Sequence, residues 1–306
     1  MSKLLEDITI VDFTHRLPGP LATKLLSDLG ARVVKIEDHV FKDPFCDGLF
    51  SQMDESFPFI YRELNHCKEV MRFDFKGNED RKKINEILDE ADAVFMGLPM
   101  KVRQRLGLTD EDLTAQKRPL AVIELLASKS HKQLMHDLNA LAEADLLSLH
   151  VSGRSEAMVC PPFMPMAGIA LGNKAATDVL AAVIKSKKQN KVIFTKTYLL
   201  EATKDIFSCF WPKEMRRKKQ TSFLQNGRYP CYNLYRCRDE YYVALAAVEE
   251  KLWNRFCHVF ALEIPAEKRF HYRDRSVFSR LIELFSGMTG DEIKQKTANE
   301  DFCLSL

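Results

Sequence analysis

Residues 8 to 37 constrain the fold more than any other stretch of this sequence. Ile8 to Phe13 (ITIVDF) is short and rich in β-branched residues, which predicts a strand buried in a parallel sheet. Leucines then recur at helical spacing between Pro20 and Gly30, and Arg32 to Ile36 (RVVKI) predicts a second strand. A strand, a helix and a strand in so short a stretch form a βαβ unit, which builds a parallel sheet with a right-handed crossover.

The same alternation of strand and helix patterns continues along the chain. Further strand patterns lie at Val70–Phe75, Ala93–Gly97, Leu120–Leu126 and Val192–Thr197. Helical patterns lie at Asn78–Glu90, Val102–Leu106 and Lys132–Leu149, and one more runs from near Ala167 toward Lys187. This order predicts an α/β fold with a Rossmann-like, doubly wound parallel sheet. Residues 38 to 66 have no clean period and contain two prolines, so we expect an irregular excursion there.

A second unit follows a change of composition. The stretch from Lys213 to Pro230 is polar and basic, which is typical of a linker. Two strand patterns, Cys231–Arg236 and Tyr241–Ala247, then flank a turn and predict a hairpin. Three helical patterns follow at Glu249–Ala261, Ser276–Ser286 and Gly290–Thr297. The sequence therefore predicts a large α/β domain over 1–212 and a smaller α+β domain over 213–306.

Charge and cysteine content favour an ordinary cytoplasmic protein. The 306 residues carry a net charge of +2, which gives no general attraction to nucleic acid or to a membrane surface. No apolar run approaches the roughly 20 residues that span a bilayer. The eight cysteines are scattered without a CxxC pair, so we expect reduced thiols and no metal site.

Several segments resemble CoA-transferase family III, the CaiB/BaiF group that includes the alpha-methylacyl-CoA racemases. They occur in the family's order and cover nearly the whole chain. They are DFTHRLPGPLATKLLSDLGARVVKIE, FDFKGNEDRKKINEILDEADAVF, RLGLTDEDL, HDLNALAEADLLSL, GRYPCYNLYRCRDEYYVALAAVEEKLW and DRSVFSRLIELFSGMTGDEIKQKTANEDFC.

The resemblance implies a large Rossmann-like domain, a small domain and a homodimer of interlocked chains. It also implies CoA thioesters as substrates, either by CoA transfer through an aspartyl anhydride or by racemisation of a 2-methylacyl-CoA between a histidine and an aspartate. Family members are longer, so we expect the segment that returns from the small domain to the large one to be missing or short.

The family's catalytic aspartate has no counterpart by this resemblance. Matching Gly172 and VLAAV (Val179 to Val183) to the family places Gly168 at the aspartate's position, and a shift of five residues places Asn173 there instead. Neither residue is a nucleophile or a base. Other polar positions match, namely His136, the adjacent Asp137 and Glu249.

Each of these three residues also has a structural interpretation. His136 lies on an apolar helix pattern, where a core or interface histidine is expected. Asp137 can bond a neighbouring backbone group or an arginine. Glu249 is equally well explained as an acid in the first turn of a helix.

CoA-binding candidates come from the same resemblance. His15 and Lys68 match family positions, Arg16 occupies a position that lines the CoA channel, and Lys101 and Arg103 are within reach of a phosphate. Asp38 follows KIE, where the family generally has a basic residue. Two functions stay open: an enzyme acting on acyl-CoA, and a non-catalytic family member that binds a ligand or a partner.

Overall fold

The parallel sheet has six strands, and the expected doubly wound α/β class is confirmed. Residues 3–116, 118–130 and 134–306 are described by the structure, which is a computed structural model. The strand order is β3-β2-β1-β4-β5-β6, and every neighbouring pair is parallel. The strands are β1 (Thr9–Asp12), β2 (Arg32–Asp38), β3 (Glu69–Phe73), β4 (Ala93–Met96), β5 (Leu120–Leu126) and β6 (Val192–Tyr198).

Helices cover both faces of this sheet. Val11 belongs to one apolar core together with Ile84 of α4, whereas Ile10 belongs to a second core together with Ala175 of α9, because successive strand residues point to opposite faces. The helices of this unit are α1 (Pro18–Asp28), α2 (Leu49–Met53), α3 (Ser56–Asn65), α4 (Asn78–Asp89), α5 (Met100–Leu106), α6 (Asp110–Ala115), α7 (Asp137–Glu143), α8 (Leu147–Val151), α9 (Met166–Gln189) and α10 (Leu199–Phe207).

The excursion after β2 is more ordered than its sequence predicts, because it contains α2 and α3. Pro58 lies in the first turn of α3, where a missing N–H costs nothing. The rings of Phe45, Phe50 and Phe57 pack with centroids 4.6 to 5.4 Å apart and hold the segment together. The prediction of irregular structure over 38–66 was therefore wrong for these two helices.

The helix predicted from Lys132 to Leu149 is also different. Residues 131–133 lie outside the described part of the chain, and the remainder forms two helices, α7 and α8. The break falls at Asp145, whose φ is +61°, and the N–H of Leu146 returns to the carbonyl of Leu141. Trp211 fixes this corner, because its indole N–H donates to the Asp145 carbonyl at 3.1 Å.

The longest helix, α9, is long and apolar enough to cross a membrane by length and composition alone. Half of its most apolar window is nevertheless buried inside the protein, as in the core helix of a globular domain. Its contacts with α1, β5, β6 and α10 account for that burial.

The chain divides at Pro212 into a first unit and a second unit, Lys213–Leu306. The second unit has a three-stranded antiparallel sheet in the order β7-β8-β9 and its own apolar core around Trp253 and Phe256. Part of the predicted linker is helical. The elements are α11 (Lys213–Arg217), β7 (Tyr232–Arg236), β8 (Tyr242–Ala246), α12 (Glu250–Val259), α13 (Arg275–Ser286), α14 (Gly290–Thr297) and β9 (Leu304–Ser305).

Candidate functional site

A pocket of about 710 Å³ lies at the carboxyl ends of β1 to β4, and we call it the sheet-edge pocket. The strand order reverses between β1 and β4, and in open α/β sheets ligands bind in the crevice at such a switch point. Its walls are the loop after β1 (His15 and Arg16), parts of the segment from Asp38 to Phe50, the loop after β3 (Phe75 and Lys76), and parts of the segment from Gly97 to Arg105.

The pocket carries more positive than negative charge. Four cations line it, Arg16, Lys42, Lys76 and Arg105, against the carboxylates of Asp38 and Asp47. Lys42 forms an ion pair with Asp47 at 2.8 Å. Within the described residues, the other three cations have no carboxylate within ion-pairing distance. They are therefore free to meet an anionic ligand.

Arg16 is held in an unusual backbone conformation at the pocket wall. Its φ is +67°, in the left-handed region that an arginine rarely adopts. Its N–H donates to the Asp43 carboxylate at 3.0 Å, and its guanidinium lies 5.3 Å from the centre of the Phe50 ring. Both contacts join the loop after β1 to the segment after β2, so Arg16 is positioned by two elements that border the pocket.

His15 presents a polar atom that lacks a partner. Its Nε2 is buried and receives no hydrogen bond within the described residues. Burial and the neighbouring Lys35 ammonium lower the pKa of His15, so its imidazole is neutral at pH 7. A buried polar atom without a partner costs about 1–3 kcal/mol, which a ligand group can recover. His15 is thus a candidate to bind a ligand through a hydrogen bond of its neutral imidazole.

The charges of the KIE motif do not face the pocket. Lys35 is fully buried, donates to the Thr14 carbonyl at 2.6 Å and lies 3.4 Å from Asp43. Glu37 is equally buried and accepts from the Tyr61 hydroxyl at 2.9 Å. These contacts tie β2 to the loop after β1 and to α3, which is a structural use of the motif.

Asp38 also has a structural use. It lines the pocket, but its Oδ1 accepts from the N–H groups of Val40 and Phe41 at 2.8 and 2.9 Å. The carboxylate therefore shapes the turn after β2 rather than projecting as a free charge. Asp38, His39 and Asp74 also place three possible ligand atoms within 4.8 Å of one another, but the turn hydrogen bonds explain the two carboxylates without a metal.

Two of the predicted CoA-binding cations have other partners. Lys68 is largely buried, and its ammonium contacts the Pro20 carbonyl at 2.8 Å and Asp12 at 3.4 Å. Arg103 is 3% exposed, donates to the Leu108 carbonyl and pairs with Asp110 and Glu124. The structure therefore assigns both residues to the interior of the first unit.

The other predicted cation on α5 lies outside the pocket wall. Lys101 is exposed and does not line the sheet-edge pocket, whereas Arg105 on the same helix does. Sequence reasoning missed Lys42, Lys76 and Arg105. For Arg105 the signal was available, since residues two apart on a helix point about 200° apart and Arg103 and Arg105 cannot share an environment.

Gly168 and Asp137 lie side by side at the start of α9. The Gly168 N–H donates to Asp137 Oδ1 at 2.8 Å. A Cβ built on Gly168 would lie 3.8 Å from that oxygen and 2.8 Å from Leu17 Cδ2. Burial raises the pKa of Asp137, although backbone N–H groups of Gly168 and Ala167 oppose the rise. Asp137 is thus a half-buried carboxylate that caps the amino end of another helix.

The remaining two candidates lie at helix starts. His136 is exposed, and its backbone N–H donates to Asn139 Oδ1 at 3.1 Å. Glu249 is exposed at the position preceding α12, in the second unit. His136 and Asp137 are neighbours in the first unit, and the roles of all three in chemistry stay predictions.

Together, the doubly wound sheet and the basic pocket at its switch point define an α/β protein with a pocket where ligands of open α/β sheets bind. The model of CoA-transferase family III matches residues 5–306, so the chain belongs to that family. This confirms the resemblance seen in the sequence.

Individual relatives agree with this assignment. A CaiB/baiF CoA-transferase family protein of Caenorhabditis elegans is 23% identical, over 83% of this chain and 72% of its own length. Human alpha-methylacyl-CoA racemase is 25% identical, over 82% of this chain and 63% of its own length. The crystal structure of a CAIB/BAIF family protein from Brucella suis shares the fold with a TM-score of 0.76, at 16% identity and over 100% of this chain and 84% of that one.

Proposed function

We propose that this protein binds CoA or an acyl-CoA thioester, with the phosphate-bearing end of CoA in the sheet-edge pocket. The observation that carries the proposal is the set of unpaired cations around that pocket, Arg16, Lys76 and Arg105. CoA carries a diphosphate and a ribose phosphate, and arginine and lysine are the side chains that bind phosphate oxygens best. Family membership supports the same ligand class.

We further propose that the protein does not transfer CoA through an aspartyl anhydride. That step needs a carboxylate to attack the thioester carbonyl and to expel the CoA thiolate. Position 168 is glycine, and the nearest carboxylate, Asp137, is engaged as the cap of α9. Binding without transfer is therefore the function that these residues support best.

Calorimetric titration with CoA and with acetyl-CoA tests the binding proposal. We expect saturable binding that weakens as the salt concentration rises, because phosphate contacts are screened. Arg105→Ala should weaken it, and Lys101→Ala is the matched control on the same helix. No binding at about 1 mM CoA, which corresponds to about −4 kcal/mol, would overturn the proposal.

Mass spectrometry of the protein after incubation with acyl-CoA tests the proposal that no CoA transfer through an aspartyl anhydride takes place. The wild-type chain should gain no acyl or CoA adduct. The double variant Gly168→Asp with Leu17→Ala restores a carboxylate and removes the side chain that its Cβ would meet at 2.8 Å. A covalent adduct on the wild-type chain would contradict the non-catalytic proposal and leave the binding proposal intact.

One observation favours a second candidate function, α-proton chemistry on a 2-methylacyl-CoA. Asp137 is half-buried, burial raises its pKa above the ordinary aspartate value and so makes its carboxylate a stronger base, and it adjoins His136. With Glu249, these are the polar residues that match the racemase-like pattern. In deuterated water, exchange at the α-carbon that is lost in His136→Ala would favour this candidate over the non-catalytic one.

Assembly and location belong to the same proposal. We propose a homodimer in the cytoplasm, as the resemblance and the composition predict. Sedimentation equilibrium across a concentration series tests the first point, since a monomer at every concentration would contradict it. Fractionation of cells that express the tagged chain tests the second.

A further inference from the structure

A groove runs beside β7 in the second unit, far in sequence from the sheet-edge pocket, and we call it the β7 groove. One part of it encloses about 720 Å³ between β7 and α13, and a second part of about 490 Å³ adjoins the start of β7. Both parts are lined by Gly227, Asn233 and Leu234. On its other side, α13 contributes Phe278 and Ile282.

β7 is an edge strand whose outer side is open. Among the described strands it pairs only with β8, because β9 lies on the opposite side of β8. The N–H of Cys237 bonds the carbonyl of Tyr241, which sets the alternation of bonded pairs along the hairpin. By that alternation, Tyr235 and Asn233 bond β8, whereas the N–H and C=O groups of Leu234 and Arg236 point outward.

These outward groups have no partner in the part of the chain that the structure describes, where no backbone bond from outside the hairpin reaches Leu234 or Arg236. Unpaired N–H and C=O groups along a strand are a template for another extended chain. The neighbouring apolar surface is exposed too, since Leu234 is 68% and Ile282 53% accessible. The ligand that matches alternating donors and acceptors beside an apolar wall is a peptide strand.

The charge of the groove selects the kind of peptide. Arg236, Arg238 and Arg275 line it, against Glu240 alone among acidic residues. Arg236 pairs with Glu240 at 2.5 Å and Arg238 with Glu292 at 3.1 Å. Arg275 has no ion-pair partner among the described residues and lies over the Phe278 ring at 4.3 Å.

We propose that the β7 groove binds an extended peptide of a partner protein that pairs with β7 and places acidic side chains toward Arg275. The outward groups of Leu234 and Arg236 supply the hydrogen bonds, and the apolar wall of α13 takes the alternate side chains. This interaction is separate from CoA binding and requires no residue of the sheet-edge pocket. A second copy of β7 is disfavoured as the occupant, because its own Arg236 would enter a basic groove.

The test is fluorescence anisotropy of a labelled peptide of alternating aspartate and valine, about seven residues long to match a strand rising about 3.3 Å per residue. We expect saturable, salt-sensitive binding to the full chain, and no binding of a peptide of alternating lysine and valine. Arg275→Glu should weaken binding at least tenfold, whereas Arg273→Glu, exposed and outside the groove, should not change it.

A backbone variant tests the strand pairing itself. Leu234→Pro removes one outward N–H at an edge position, where proline is tolerated, and Leu234→Val keeps it. We expect Leu234→Pro to weaken peptide binding at least tenfold and Leu234→Val to leave it unchanged. If Leu234→Pro fails to fold by circular dichroism, the Arg275→Glu and Arg273→Glu pair decides.

Three results would overturn the proposal. One is no binding of the acidic peptide at about 1 mM, which corresponds to a binding free energy of about −4 kcal/mol. In that case the arginines at this edge would serve to prevent pairing with other strands. Another is equal affinity of Arg275→Glu and the wild type. The third is a dimer that dissociates in Leu234→Pro, which would make a second copy of the chain the occupant.

Discussion

Asp12 is a buried carboxylate with four partners. It accepts from the hydroxyls of Thr14 and Thr23 and lies 3.4 Å from the Lys68 ammonium, and Lys35 is a further nearby cation. Burial alone would raise the pKa of Asp12, but these cations and hydroxyls outweigh it and lower the pKa from 3.8 to about 2. The ionised form therefore stabilises the fold.

This shift predicts how stability depends on pH. Because the folded-state pKa of Asp12 is below its unfolded value, its contribution is fully present above pH 3.8 and is lost as the pH falls toward about 2. Asp12→Asn should lower the free energy of unfolding of the first unit by on the order of 2 kcal/mol at pH 7. Urea unfolding of the wild type and the variant between pH 7 and 2 measures this contribution.

The matched control for that variant is Asp28→Asn, in an exposed pair with Lys24. It should change the free energy of unfolding by no more than about 0.5 kcal/mol. A penalty for Asp12→Asn that stayed constant down to pH 2 would show that its ionisation is not the cause.

Two neighbouring arginines on α5 should respond in opposite ways to substitution. Arg103→Ala removes a buried guanidinium that donates to the Leu108 carbonyl and pairs with the partly exposed Asp110 and Glu124, and should cost about 1–3 kcal/mol of stability. Arg105→Ala should leave stability nearly unchanged and weaken CoA binding roughly tenfold, by loss of a charged contact. Thermal unfolding and calorimetry on the same samples separate the two effects. If instead Arg103→Ala weakened CoA binding and Arg105→Ala lowered stability, the phosphate-binding face of α5 would be its buried side.

At the scale of elements, the amino end of α9 depends on a carboxylate from α7. Pro165 precedes the helix without a side-chain cap, and Asp137 supplies the missing acceptor across the chain. Asp137→Ala should therefore destabilise the first unit by about 1 kcal/mol, and Asp137→Asn, which keeps an acceptor oxygen, by less. Equal losses in urea unfolding would point to the charge, acting on the helix dipole, rather than to the hydrogen bond.

The sequence predicts those elements whose pattern is local. The βαβ unit at β1, α1 and β2 follows from strand composition, leucine spacing and Gly30, all readable within thirty residues. By contrast, α2 and α3 are stabilised by Phe45, Phe50 and Phe57, whose contacts appear only when the segment folds back on itself. Propensity alone does not contain that information.

The same distinction applies to the site. His15 and Arg16 follow β1 directly, so their place at the sheet edge is predictable from topology, and the structure puts both in the sheet-edge pocket. Lys68 and Arg103 looked equally available as cations. Their burial depends on Asp12, Asp110 and Glu124, which lie on other elements, so spacing could not identify it.

At the scale of the whole molecule, each unit contains one of the two tryptophans. Trp211 is 3% exposed in the first unit, and Trp253 is fully buried in the second. Each should therefore report the unfolding of its own unit by fluorescence. Residues 213–306 have a separate apolar core, so we expect them to fold alone.

Expression of residues 213–306 checks this expectation. The fragment should show a cooperative thermal transition and the emission of a buried indole from Trp253. In the full chain, Trp253→Phe leaves Trp211 as the reporter of the first unit, and Trp211→Phe does the converse. A fragment without a cooperative transition would show that the second unit needs the first in order to fold.

The glycine at the start of α9 also has an evolutionary consequence. Glycine and aspartate codons can differ by one nucleotide, so a return to a carboxylate at position 168 is genetically close. Physically it needs a local adjustment, because the new Cβ would meet Leu17 Cδ2 at 2.8 Å, a contact that a movement of the Leu17 side chain relieves, and it would lie at ordinary contact distance, 3.8 Å, from Asp137 Oδ1. The cost of a side chain at position 168 therefore depends on the residue at position 17, so we expect substitutions at these two positions to be correlated among related sequences.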